Sequence, residues 1–305
     1  MEISIVVPVY NEQENVALLY NELKKVLKKI KKSHEIIFVD DGSKDSTLKR
    51  IEELHKKDKT VRVVSFLRNF GKASALMAGF KQSKGNIVFT MDGDLQDDPK
   101  EIPNFIKGIN KGYGLVNGWK FKRHDPLAKT LPSKFFNWLT RLVTGVNVHD
   151  SNCGYKAYKR EVIQNIKIHG ELHRYIPALV RWKGYKVGEI KVKHHPRKYG
   201  KSKYGVERLM KGFLDLITIR FITKYTRRPL HFFGPIGILS MLGGIIAGIY
   251  LAWLWFTGQG IGNRPLLFLA VLLIVVGVQF ISLGLLGEMI ANINQKEDYV
   301  VKKKL

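Results

Sequence analysis

Asn86-Ile87-Val88-Phe89-Thr90-Met91-Asp92-Gly93-Asp94-Leu95-Gln96-Asp97-Asp98-Pro99 runs from an apolar, strand-like segment straight into four carboxylates within seven residues. Strand ends in open α/β sheets are where ligands bind, and an Asp-x-Asp pair there can hold a divalent ion against a diphosphate. A solvated acidic turn ending at Pro99 is the competing reading of the same residues. The sequence on either side decides between them.

Upstream, apolar strands alternate with amphipathic helices. The pattern predicts strands over 3–7, 35–39, 61–66 and 87–91, with helices over about 14–30, 46–56 and 72–82. Such a βαβαβαβ wind implies a mostly parallel sheet covered by helices on both faces, with its ligand-binding loops at the strand C-termini. Those loops are Pro8-Val9-Tyr10-Asn11-Glu12, Asp40-Asp41-Gly42-Ser43, Leu67 to Lys72 and Asp92-Gly93-Asp94. Each carries polar groups suited to a nucleotide.

Downstream the pattern loosens. A strand is expected over 115–119, and an amphipathic helix over 133–143 whose Phe135, Phe136, Trp138 and Leu139 suit either a membrane interface or a core. The basic stretch Lys191 to Tyr204 reads as a mobile loop. A second amphipathic helix is expected over 205–224. From Phe232 to Asn263 and from Pro265 to Gly287 there is no Asp, Glu, Lys or Arg. Each stretch exceeds the roughly 20 residues that cross a bilayer, so both are expected to be transmembrane helices rather than a buried hairpin of a soluble protein.

The 305 residues carry a net charge of +25. Residues 232–305 hold five Lys/Arg against three Asp/Glu, a net of only +2, so the excess lies in the part before the spans. Arg220, Lys224, Arg227 and Arg228 precede the first span, and Lys296, Lys302, Lys303 and Lys304 follow the second. The positive-inside rule then puts both termini in the cytoplasm and Thr257 to Arg264 outside. Lys/Arg beside a bilayer also attract anionic lipid head groups, which accounts for the charge without nucleic acid. MEISIVVPVY lacks a basic n-region and reads as a core strand rather than a cleavable signal. The implied organisation is a cytoplasmic domain over 1–204, a juxtamembrane helix over 205–230, a two-helix hairpin over 231–290 and a basic tail over 291–305.

The first βα turn has neither G-x-G-x-x-G nor G-x-x-x-x-G-K-[ST], which counts against dinucleotide oxidoreductases and P-loop NTPases. In order and spacing, PVYNE with Asn15, VDDGSKDST at 39–47, RNFGKASALMAG at 68–79 and MDGDLQDDP at 91–99 resemble the family 2 glycosyltransferases of GT-A fold. The resemblance covers about residues 3–205. It implies that Pro8, Tyr10, Glu12 and Asp40 line a nucleoside pocket with Asp41 and Gly93 beside it. Asp92 and Asp94, with Gln96, would hold Mg²⁺ or Mn²⁺ at the diphosphate of a nucleotide sugar, the ion stabilising the departing group. Lys72 would either add charge near the phosphates or point to solvent.

Processive synthases of this family usually carry Q-x-x-R-W, where this chain reads Ala178-Leu179-Val180-Arg181-Trp182, and they need more spans than two. DGDLQDDP and the C-terminal hairpin are instead similar to the polyprenyl-phosphate glycosyltransferases, the group of dolichyl-phosphate mannose synthases and bactoprenol glucosyl transferases. That likeness implies a lipid phosphate gripped by Lys120, Arg123, Lys129 and Ser133, with Arg197, Lys201 and Ser202 closing from the other side. The family often has Arg at positions 120 and 129. Asp150 stands where many members place an acidic residue near the acceptor, as a base or as an orienting group. A phosphate monoester is already largely ionised at neutral pH, which weakens the case for a base.

The expected reaction is inverting transfer of one sugar from a UDP- or GDP-sugar to undecaprenyl or dolichyl phosphate, with self-association through the spans also open. A saccharide acceptor and a sugar-nucleotide-sensing scaffold are the alternatives. Cys153 is expected in the core, His194 and His195 in a loop, and Asp97 and Asp98 in a solvated turn.

Overall fold

The structure is a computed structural model and describes residues 1–121, 127–168, 170–196, 207–226, 228–262 and 264–293, without the side chains of 127–135, 207–211 and 213. Two compact units emerge, one formed by Met1–Ile219 and the other beginning at Arg220.

The first unit opens with β1 (Ile3–Val9), α1 (Val16–Ile30), β2 (His34–Asp40), α2 (Thr47–Lys57), β3 (Val61–Ser65), α3 (Lys72–Gln82) and β4 (Ile87–Thr90). α4 (Ile102–Asn110), β5 (Leu115–Lys120), α5 (Leu127–Thr144), β6 (Lys156–Lys159), α6 (Arg160–Asn165), α7 (Ile176–Trp182), β7 (Val187–Val192) and α8 (Glu207–Lys224) follow. Seven strands form one sheet in the order β3-β2-β1-β4-β6-β5-β7, parallel except for β6, which runs against both neighbours. The expected mostly parallel architecture is therefore present.

Ile3, Ile5, Val6 and Val7 of β1 are all buried, because helices cover both faces and leave no polar alternation. α1 buries Val16, Leu19, Leu23 and Leu27 at helical spacing and turns its lysines outward. Removing such a Leu side chain costs about 2–5 kcal/mol. Chain direction across the sheet reverses between β1 and β4, which sit side by side with β2 and β3 beyond β1. That switch point opens a crevice at the strand C-termini. In register, Val6 of β1 faces Thr90 of β4, so Pro8 and Val9 extend alongside the acidic loop. At Gly93 a Cβ would lie 2.7 Å from the Val9 side chain, which explains the glycine in that loop.

The expected helix over 133–143 lies within α5, and the one over 205–224 is present from Glu207 as α8, with 205 and 206 outside the described residues. β7 corrects the loop expected from Lys191, since Lys191 and Val192 are its last two residues.

The second unit is a hairpin of α9 (Leu230–Phe256) and α10 (Pro265–Ile293), both long and apolar enough to cross a bilayer. Gly237 packs against Gly277 and Ile281, and Gly244 against Ala270 and Ile274, so the two backbones approach closely. Ser240 donates to the Leu273 carbonyl at 2.8 Å across the seam. Leu239, Ile246, Trp253, Phe256 and Phe268 point outward, an apolar exterior that suits lipid. The expected tail over 291–305 lies outside the described residues beyond Ile293, where α10 ends.

Candidate active site

At the C-terminal ends of β1, β2 and β3 lies a cavity of about 440 Å³, lined by Tyr10, Asp40, Gly42, Ser43 and Arg68 among others. Asp40 closes its floor, accepting from the Ser43 N–H at 3.1 Å and the Ser65 hydroxyl at 3.0 Å. Gly42 has φ +69° and lies against the Arg68 and Asn69 backbone, so the turn has no room for a side chain. Of the six residues expected in or beside the nucleoside pocket, Tyr10 and Asp40 line this cavity directly.

Asp41, Glu12 and Pro8 make contacts with the surrounding scaffold, and Gly93 packs against Val9. Asp41 is buried and accepts from the N–H groups of Phe70 (2.7 Å) and Gly71 (3.0 Å), pinning the loop that opens α3. Glu12 accepts from the Asn15 amide at 2.6 Å, and its N–H donates to the Thr47 hydroxyl at 2.8 Å, joining the starts of α1 and α2. Pro8 sits within β1 opposite Val39.

Across the switch point stands the acidic loop. Asp92 is half-buried and forms an ion pair with the Lys72 ammonium, Nζ to Oδ1 2.5 Å. Lys72 therefore turns toward the acidic pair rather than to solvent. Burial opposes ionisation of Asp92, yet Lys72, Lys120 and Lys156 hold its carboxyl well below the usual range. Asp94 is buried and accepts from the Gln96 N–H at 3.2 Å, while Leu95 between them takes a left-handed φ of +63°.

Asp97 and Asp98 overturn the expectation of a solvated turn: both are buried. Asp97 accepts from the Asp92 N–H at 3.4 Å and faces the Lys120 ammonium at 3.5 Å. Asp98 caps the short turn at Pro99–Glu101 by accepting from the Lys100 N–H, and it faces His195 Nε2 at 3.3 Å. Burial, reinforced by the charge of Asp92, pushes the Asp97 carboxyl up despite Lys120. His194 and His195 cover the loop from outside. His194 bridges Asp97 through the backbone, and His195 exchanges backbone and side-chain contacts with Gln96. The Gln96 amide points at the His195 carbonyl, 3.3 Å away.

Among the described residues, no cluster of three or more His, Cys, Asp or Glu is placed to hold a metal ion. Two carboxylates are nonetheless the set Mg²⁺ or Mn²⁺ uses when substrate phosphates and water complete its shell. The seat is shaped for this: a Cβ on Gly154 would lie 2.6 Å from the Asp92 carboxylate oxygens. Asp92 and Asp94 thus fit a substrate-completed divalent site.

On the far side, Lys120 ends β5 and is largely buried. Burial alone would lower its pKa, but Asp97, Asp92 and Asp150 raise it and keep the ammonium charged. Arg123, Arg197, Lys201 and Ser202 lie outside the described residues, as do the side chains of Lys129 and Ser133 on α5. Asp150 is buried; its N–H donates to Glu189 at 3.2 Å and its carbonyl accepts from the Asn117 amide at 2.9 Å. Cys153 is in the core as expected, its thiol pushed up to about 12 chiefly by burial.

Three residues escaped the sequence reading. Lys156 is buried on β6 and donates to the carbonyls of Ser151 and Cys153, holding the loop after Asp150. Glu189 on β7 anchors that loop through His149 and Asp150. Gly154 backs Asp92. A lysine within the otherwise apolar run Tyr155 to Tyr158 was the one available signal.

Residues 4–167 match glycosyl transferase family 2, and residues 228–293 match the GtrB C-terminal hairpin. The chain is 38% identical to the dodecaprenyl-phosphate galacturonate synthase of Rhizobium johnstonii, over 99% of this chain and 93% of that one. It is 35% identical to the undecaprenyl-phosphate 4-deoxy-4-formamido-L-arabinose transferase of Pectobacterium atrosepticum, over 95% and 88% respectively. In fold it is similar to glucosyl-3-phosphoglycerate synthase from Mycobacterium tuberculosis, solved with Mn²⁺ and UDP-glucose. That likeness has a TM-score of 0.55 at 19% identity, covering 73% of this chain and 78% of that one. The strand-end cavity, the acidic loop at the switch point and the apolar hairpin all accord with these matches, and the chain belongs to glycosyl transferase family 2.

Proposed function

We propose that this glycosyltransferase moves one sugar from a nucleotide sugar to a polyprenyl phosphate at the cytoplasmic face of a membrane. The observation that carries this is the pairing of one crevice, Asp92 and Asp94 backed by Gly154, with relatives named for polyprenyl-phosphate products along nearly the whole chain. The nucleoside would occupy the cavity beside Tyr10 and Asp40. Asp92 and Asp94 would hold Mg²⁺ or Mn²⁺, which when bound supplies Lewis-acid stabilisation of the diphosphate. Lys120, with the basic residues at 123–133 and 197–202, would orient the lipid phosphate.

A phosphate oxygen attacks the anomeric carbon, the bond to the diphosphate breaks with its electron pair, and the configuration inverts. No proton need be removed, so Asp150 acts by positioning. The basic residues at 220–228 and 296–304 support a hairpin with both ends in the cytoplasm. That orientation puts the first unit on the cytoplasmic side.

Purified full-length protein, incubated with a panel of UDP- and GDP-sugars, a polyprenyl phosphate and Mg²⁺ or Mn²⁺, should yield an acid-labile glycosyl lipid. Elongation of a saccharide with no such lipid product would replace this reading by a polysaccharide synthase. Within it, Arg123→Ala should raise the KM for lipid more than the KM for donor.

A further inference from the structure

The Lys72–Asp92 pair joins one movable and one fixed partner. Lys72 is the first residue of α3, directly after Gly71. Asp41 holds the N–H groups of Phe70 and Gly71 with its two carboxylate oxygens, so the backbone that bears the lysine is anchored. The side chain is a four-carbon stem with rotatable bonds, one-third exposed. Asp92 is confined from behind by Gly154 and through its own N–H by Asp97.

Oδ1 of Asp92 has Lys72 Nζ at 2.5 Å. A divalent ion on that oxygen would sit about 2.0–2.1 Å away for Mg²⁺, with an octahedral shell to complete. An ammonium and a divalent ion on the same carboxylate repel one another at short range, so each weakens the other's hold on Asp92. A displaced ammonium stays at the N-terminus of α3, where helix N–H groups already favour an anion.

We propose that Lys72 is the resident counter-ion of Asp92, and that a divalent ion binds there in competition with its ammonium, which then turns to the donor's diphosphate. Ion and donor therefore bind as a coupled pair, each tightening the other by the same factor. The proposal rests on the reading of Asp92 as a metal ligand.

The test is Mn²⁺ titration of the full chain in detergent, followed by electron paramagnetic resonance of free Mn²⁺, alone and with UDP or GDP. Lys72→Met should bind Mn²⁺ alone at least about fivefold more tightly than the wild type. The tightening caused by the nucleotide should shrink by a similar factor. Lys72→Arg, which keeps the charge, should follow the wild type, and Lys72→Gln serves if the Met variant does not fold. Mn²⁺ affinity in Lys72→Met or Lys72→Gln no tighter than wild type overturns the proposal. If Asp92→Asn then still abolishes binding, the metal reading survives that failure. No Mn²⁺ binding by the wild type with either nucleotide overturns both.

Discussion

Two buried carboxylates at opposite ends of the same sheet are treated in opposite ways. Glu35, at the N-terminal end of β2, and Asp97, beyond the C-terminal end of β4, are each 2% exposed. Glu35 accepts from the Ser4 hydroxyl (2.6 Å), the Lys84 N–H (2.7 Å) and Arg62 (3.1 Å). Burial raises its pKa, but these donors outweigh burial and lower it. Asp97 has one backbone donor at 3.4 Å and a lysine at 3.5 Å, and its pKa is raised. The lower end of the sheet spends its charges on closure, with every Glu35 oxygen satisfied. At the upper end Asp97 and Lys120 meet only at longer range, an arrangement that costs stability and keeps charge ready for an anionic substrate.

The sharpest way to break this contrast is at the acidic pair. Asp92→Asn and Asp94→Asn should each lower glycosyl-lipid formation by about a hundredfold or more at any practical metal concentration. Near-normal rates would remove the metal assignment. Gly154→Ala comes next: its Cβ collides with the Asp92 carboxylate, so Mn²⁺ affinity should fall by about tenfold while unfolding costs about 1–3 kcal/mol. Retention of full Mn²⁺ affinity would show that Gly154 does not shape the seat. Asp150→Asn should lower kcat only a few fold, since a general base is worth about 10²–10⁴. A hundredfold loss would make Asp150 a base after all.

The lower end should respond in stability alone. Glu35→Gln should leave the rate within about twofold and cost about 1–3 kcal/mol, read from thermal unfolding in detergent. Because the folded pKa of Glu35 lies below its unfolded value of roughly 4.3, its contribution is complete above that pH. It is lost as the pH falls through the folded value. Wild-type stability should drop on acidification below that point, and the drop should be shallower in Glu35→Gln.

The first half of the fold was legible because its strands are dominated by apolar residues and alternate with helix-period segments, as a parallel sheet covered on both faces demands. β6 was not: Lys156-Ala157-Tyr158-Lys159 is too short and too basic to read as a buried strand. Its first lysine is buried only because the carbonyls of Ser151 and Cys153 meet its ammonium. Tyr10, Asp40, Asp92 and Asp94 stood out as candidates because they lie at strand ends and fall in the motifs that carry the family resemblance. Asp97 and Asp98 were misread because local composition alone resembles a wet turn. What buries them comes from Lys120 and from His194 and His195, far along the chain, and no local pattern encodes those contacts.

The antiparallel β6 also sets a timetable. Among the described residues, β5 pairs only with β6 and β7, and β4 gains its second neighbour only with β6. A nascent chain that has emerged as far as Asp150 therefore carries a four-stranded parallel sheet with an unpaired edge and a fifth strand with no partner. Such edges invite pairing between chains. Release of fragments ending between Lys120 and Lys156 should thus favour aggregation, and those extending past Val192 should not, so that translational pausing within this window is the step at which the enzyme is most easily lost.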